Sequence, residues 1–244
     1  MSDEPASPAP VRWAQAWPDA LAFGGGLALA WFGGWQTKDL VWSLWLSSLL
    51  VGYAMIVWMI FSPALFIATN AWRDRALIGS QPVAPAAAGG ALLMVGGLFL
   101  LAFFTVHFGM FHFVHSVFLN LFFPVVAGKA QTPGLGLYLQ VLAAYWPFVL
   151  VAAVAERKAF RWPAAAPVTA PDTAVTPEAI AARKMRNAMQ GGMSGMMTPY
   201  RNVVRLHLLI FFFAFAHFAK LDSFLVYVVV YAVYFFPWRL AKGK

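Results

Sequence analysis

The chain has 244 residues, 61% of them hydrophobic and only 11% charged, with a formal net charge of +8 and no cysteine. A soluble domain carries roughly 25% charged residues, so a water-exposed fold of this length would lack the polar surface to cover it, and lipid must do the covering. The missing cysteines exclude disulfides, thiolate metal sites, iron-sulfur clusters and cysteine nucleophiles, while basic residues set at the ends of apolar runs, rather than in a patch among exposed aromatics, argue against nucleic acid.

A hydrocarbon core about 30 Å thick needs about 20 helical residues to cross it, and runs of that size between charges define the expected elements. Residues 1–16 open acidic and proline-rich, with no basic segment leading into a short apolar run, and read as a disordered tail rather than a secretory signal. The first span is expected from Trp17 to Trp35, with a tryptophan anchoring each end. The second runs from Leu40 to about Ile67, where Pro63 should kink or end it. The third region is harder, because no charge occurs between Arg75 and Lys129 and residues 86–126 would make a helix about 60 Å long. It is either one span with an interfacial tail or two spans. A fourth span is expected from Leu135 to Ala155, and a fifth and sixth from Pro199 to Ala219 and Ser223 to Trp238, split by Lys220 and Asp222 into a hairpin.

Charge parity chooses between the two forms of the third region, since short cytoplasmic loops concentrate Lys and Arg. With one span, 14 of the 17 basic residues fall inside and only Lys38, Lys129 and Lys220 outside; with two, 5 are inside and 12 outside. The expected architecture is therefore an all-α polytopic bundle of about six transmembrane helices with both termini cytoplasmic. Helices one to four occupy residues 17–155, a cytoplasmic linker occupies 156–198, and helices five and six with a basic tail occupy 199–244. The linker opens with the Ala/Pro/Thr-rich segment WPAAAPVTAPDTAVTPEA. It then offers a helix start at Thr176, Pro177 and Glu178. Beyond it, Ile180, Met185 and Met189 alternate with Arg183, Lys184 and Arg186, which suits a helix lying on an anionic leaflet or a plain exposed connector.

All five histidines, His107, His112, His115, His207 and His217, fall in apolar helical segments, where no Asp or Glu does. Intramembrane ionisable residues are rare and often functional, although a neutral imidazole is cheaper to place there than a carboxylate. At 100° per residue, His107, His112 and His115 fall within an arc of about 140°, with His107 and His115 about 12 Å apart along the axis. They are expected to share a face. The third and fifth helices run in the same direction, so His107 with His207, and His115 with His217, could hold haem between facing helices. The other geometry is a metal site near the outer face from His107, His112, His115 and His217, without carboxylate or thiolate ligands; the leading set for haem or a transition metal is His107, His115 and His207. The blander reading has each histidine hydrogen-bonding a carbonyl or polar side chain and locking helices together. A small-solute carrier is the third possibility, although missing intramembrane carboxylates weaken a proton-coupled one.

Other motifs are weak. GMSG at 192–195 resembles a glycine-flanked protease serine but lies in the linker, and no GxxxxGK[ST], HExxH or GxGxxG is present. No catalytic residue can be assigned.

Three segments carry a likeness: GGGLALAWFGGWQTKDLVWSLWLSSLLVGYA, FFTVHFGMFHFVHSVFLNLFF and PYRNVVRLHLLI. Together they resemble a family of bacterial polytopic membrane proteins catalogued only as a domain of unknown function. The resemblance implies residence in a bacterial cytoplasmic membrane, and draws attention to His107, Gly109, His115, Pro199 and His207. It implies no activity. Three readings of function follow: a haem- or metal-binding, electron-transferring membrane protein; a scaffold, a subunit of a membrane partner or a homo-oligomer, whose histidines only pack; and a small-solute carrier.

Overall fold

The structure is a computed structural model that describes residues 13–73, 83–126 and 133–161, and, nearer the C-terminus, residues 204, 208, 209, 211–216, 218, 219 and 228–232. Within these the chain is helical, with no strand. Four long helices follow one another: α1 (Trp13–Phe32), α2 (Thr37–Arg73), α3 (Val83–Phe122) and α4 (Leu135–Ala155). A short 3-10 helix, Arg157–Phe160, comes directly after α4.

Local chemistry explains the ends of these helices. At the end of α1, the Gly34 N–H donates to the Trp31 carbonyl at 3.2 Å and the Trp35 N–H to the Ala30 carbonyl at 2.9 Å. Gly34 itself adopts φ 60°, so this is the left-handed glycine stop that satisfies a helix's last carbonyls. It ends α1 at Phe32, three residues before the tryptophan expected to close the first span. Five residues after Phe32, at Thr37, α2 begins. The Asp39 side chain reaches back to the Gln36 N–H at 2.8 Å, covering an orphan donor and placing negative charge at the positive end of the helix dipole. Pro124 follows the end of α3, in keeping with the preference of residues before proline for extended backbone.

The second and third regions differ from expectation in their length. Pro63 lies inside α2, which continues to Arg73. A proline removes one helical hydrogen bond there, and the ten residues beyond it still propagate the helix. The third region is one unbroken helix of 40 residues, about 60 Å long, rather than two helices joined by a turn. Among the described residues three segments are long and apolar enough to cross a membrane: Thr37–Leu65, Met94–Phe122 and Leu135–Ala155. The last of these has the bounds read from the sequence. α1, with Gln15, Pro18 and Asp19 in its first half, is not among the three. Of the expected fifth and sixth helices, residues 211–216 and 228–232 are helical and Ala219 lies in a turn. The linker helix beyond Thr176 lies outside the described residues.

The chain divides into two compact units, Met1–Ser47 with Leu119–Glu156 and Leu209–Lys244, and Ser48–Phe118 with Arg157–Leu208. In the first, α1 packs on α4, and rings fill the space between them. Trp35 meets Tyr145 edge-on at 5.6 Å and Phe148 at 5.7 Å, and Tyr231 stacks on Phe23 at 5.3 Å. Trp42 and Trp45 are fully buried, and the Trp42 indole donates to the Phe123 carbonyl at 2.7 Å. In the second unit, Ile56, Phe104 and Phe108 form the buried centre, with Leu49, Tyr53 and Ile60 packed against it. A Cβ on Gly52 would lie 2.7 Å from the tip of the Phe108 ring, so α3 approaches α2 here through a position that only glycine fills without displacement.

Candidate functional site

In the unit built on Ser48–Phe118, α2 and α3 are tied by polar groups as well as by apolar packing. His112 is buried. Its Nδ1 lies 3.0 Å from the Phe108 carbonyl one turn back, and its Nε2 lies 3.2 Å from the Ser48 hydroxyl on α2. A carbonyl only accepts, so in the neutral ring Nδ1 carries the proton and Nε2 accepts from Ser48. Both ring nitrogens are thereby engaged, Nδ1 within α3 and Nε2 across to α2. About two turns away along α3 the same logic repeats: Thr105 donates its hydroxyl proton to the Leu101 carbonyl at 2.7 Å, so Tyr53 donates to the Thr105 oxygen at 2.7 Å. Ser116, also buried, turns its proton to the Phe113 carbonyl at 2.7 Å.

The three histidines of α3 do not share an environment. The buried arc of this helix runs through Phe104, Phe108, His112, His115 and Ser116. His107 falls about 60° outside Phe104 and is exposed, its ring lying flat on Phe103 (5.7 Å, 8°) and tilted to Phe111 at 6.0 Å. His115 is buried, with its ring edge-on to Phe111 at 5.5 Å and 6.4 Å from the His112 ring. Its Nδ1 makes no hydrogen bond to a described residue, although the side chain has other interactions. Of the four histidines expected to hold a cofactor, His107 and His115 thus sit in different surroundings. His207 and His217 lie outside the described residues. Among the described residues no three His, Asp or Glu side chains gather as a metal-binding group.

A second polar junction lies in the other unit, and sequence reasoning passed over it. One oxygen of Asp39 caps α2 and the other accepts the Tyr145 hydroxyl of α4 at 2.7 Å. Tyr145 is buried, and Trp35 covers its ring edge-on. The capping half was legible, since an acidic residue in the first turn after a polar stretch is a helix-start signal. The tyrosine partner, 106 residues away, had no signal in the sequence.

Residues 25–235 match the sequence model of a family described as "Family of unknown function (DUF6498)". No curated protein and no solved structure is significantly similar to the chain.

Proposed function

The chain belongs to this family of unknown function, and we propose from its own geometry that it is a non-catalytic integral membrane bundle, a scaffold or partner subunit whose histidines tie helices together. Six helices cross the cytoplasmic membrane of a bacterium in this reading, with both termini inside. The observation that carries it is His112, whose two ring nitrogens are both engaged within the α2–α3 pair. A ring used in this way has no nitrogen left for a ligand bond. The separation of exposed His107 from buried His115 supports the same reading, because haem or a transition metal needs its ligands on one side of one space. The three apolar helices support membrane residence.

The test is an absorption spectrum, oxidised and reduced, with elemental analysis, on detergent-purified protein expressed with iron and haem supplied. The expected result is neither a Soret band nor a stoichiometric metal. Either one would overturn the reading in favour of a cofactor held by His107, His115, His207 and His217. If a cofactor is found, His107→Ala should remove it.

A further inference from the structure

We propose that the turn following α4 binds the phosphate of an acidic phospholipid headgroup through Arg157, Lys158 and Arg161. This deepens the membrane-bundle reading above and rests on it.

The turn is held in place rather than trailing from the helix. The Trp58 indole of α2 donates to the Arg161 carbonyl at 3.4 Å, and its ring lies 6.4 Å from that of Phe160. Both partners belong to the same compact unit. Trp58 comes 21 residues after Thr37, the first residue of α2. At 1.5 Å per residue that is about 31 Å, one hydrocarbon thickness. The indole therefore marks the headgroup level, where tryptophan is enriched because one end of the ring is apolar and the other donates a hydrogen bond.

At that level the sequence places three cations within residues 157–161. Glu156 directly precedes them, so residues 156–161 carry a net charge of +2, whereas Lys38 and Asp39 near the start of α2 sum to zero. Arg157 and Lys158 are half-buried and Arg161 is exposed, the condition in which an aliphatic stem covers apolar surface while its charged head stays in the headgroup layer. Two guanidinium forks and one ammonium are the groups that recognise phosphate oxygens. A zwitterionic lipid neutralises its own phosphate with a neighbouring amine, whereas an acidic lipid leaves the charge for the protein. Inorganic phosphate offers the same oxygens without a lipid tail, and would lose the apolar contact beside Trp58 and Phe160.

The experiment reconstitutes the full-length protein in nanodiscs of phosphatidylcholine alone and of phosphatidylcholine with one-third phosphatidylglycerol. It counts retained lipids by native mass spectrometry and follows thermal unfolding, with inorganic phosphate added to the neutral discs as a separate arm. The wild type should retain phosphatidylglycerol selectively and unfold at higher temperature in the acidic discs. Inorganic phosphate should not reproduce the shift. The triple variant Arg157→Gln, Lys158→Gln, Arg161→Gln should lower the preference at least about tenfold, while Arg239→Gln, Lys242→Gln, Lys244→Gln, with the same change of net charge, should keep it. Trp58→Phe, which removes the indole donor but leaves every charge, should weaken selectivity and serves where the triple variant fails to fold. Equal retention of both lipids by the wild type, equal loss in the two triple variants, or a full shift from inorganic phosphate alone would each overturn the proposal. Incorporation into neutral discs without acidic preference would sink this site and leave the membrane reading standing; failure to enter either disc would sink both.

Discussion

At the scale of single residues, the weight falls on His112 rather than on His107. Removing the His112 ring takes the interhelical partner from the part-buried Ser48 hydroxyl and one of two acceptor contacts from the Phe108 carbonyl, and unmade buried hydrogen bonds are expensive. His112→Ala should destabilise the protein by about 1–3 kcal/mol in a thermal melt in detergent, with Ser48→Ala smaller. A double-mutant cycle between them should give a coupling of about 0.5–1.5 kcal/mol, in the range of interhelical hydrogen bonds in membranes. His107→Ala, which removes an exposed ring stacked on Phe103, should change stability by less than about 0.5 kcal/mol. A larger cost at His107 than at His112 would reverse the assignment of roles. The spacing of the three histidines was readable as angles about one axis. Which part of that circle is buried was not, because it is set by where α2 lies, through Phe104 and Phe108 meeting Ile56.

At the scale of the helices, two junctions set how closely neighbours approach. Gly52→Val would place a side chain against the Phe108 ring, and the overpacking should cost about 1–3 kcal/mol, again read as a lowered unfolding midpoint. Gly52→Ala should cost less, as one methyl demands a smaller displacement. At the start of α2, Asp39 serves its own helix and α4 at once. Asp39→Ala should therefore cost more than Tyr145→Phe, the first by about 1–2 kcal/mol. The two effects should fall short of additivity, because the tyrosine hydroxyl has lost its acceptor once Asp39 is gone; strict additivity would mean that the 2.7 Å hydrogen bond adds no stability. Element boundaries have local causes, Gly34 ending α1 and Pro124 following α3, although the ends expected from apolar run length were Trp35 and residue 126. Pro63 was a weaker guide, since a helix carried by apolar residues on both sides of a proline tolerates one lost hydrogen bond.

At the scale of the whole molecule, the distribution of Lys and Arg predicts both termini and the linker inside, and Lys129 and Lys220 outside. The chain has no cysteine, so each introduced one is a unique probe. In intact cells, Lys129→Cys should react with a membrane-impermeant maleimide, and Thr169→Cys should react only after the membrane is permeabilised. Labelling of Thr169→Cys in intact cells would mean that the topology is inverted or that the third region crosses twice. The single 40-residue α3 gives the one-span form its continuous helix.

Composition and run length were enough by themselves to place this chain among apolar helical proteins, to set α4 at its observed bounds and to restrict the candidate chemistry to five histidines. Those features depend on local quantities: the hydropathy of about 20 neighbours, a glycine free to take positive φ, an acid within one turn of a helix start. Tertiary structure alone decided that His112 and not His107 is buried, that the Ser48 hydroxyl meets Nε2 of His112, and that Asp39 meets Tyr145. Each of these joins residues more than 50 positions apart or depends on a neighbouring helix. Helical periodicity gives the direction of a side chain about its own axis, but carries no information about which other helix stands in that direction.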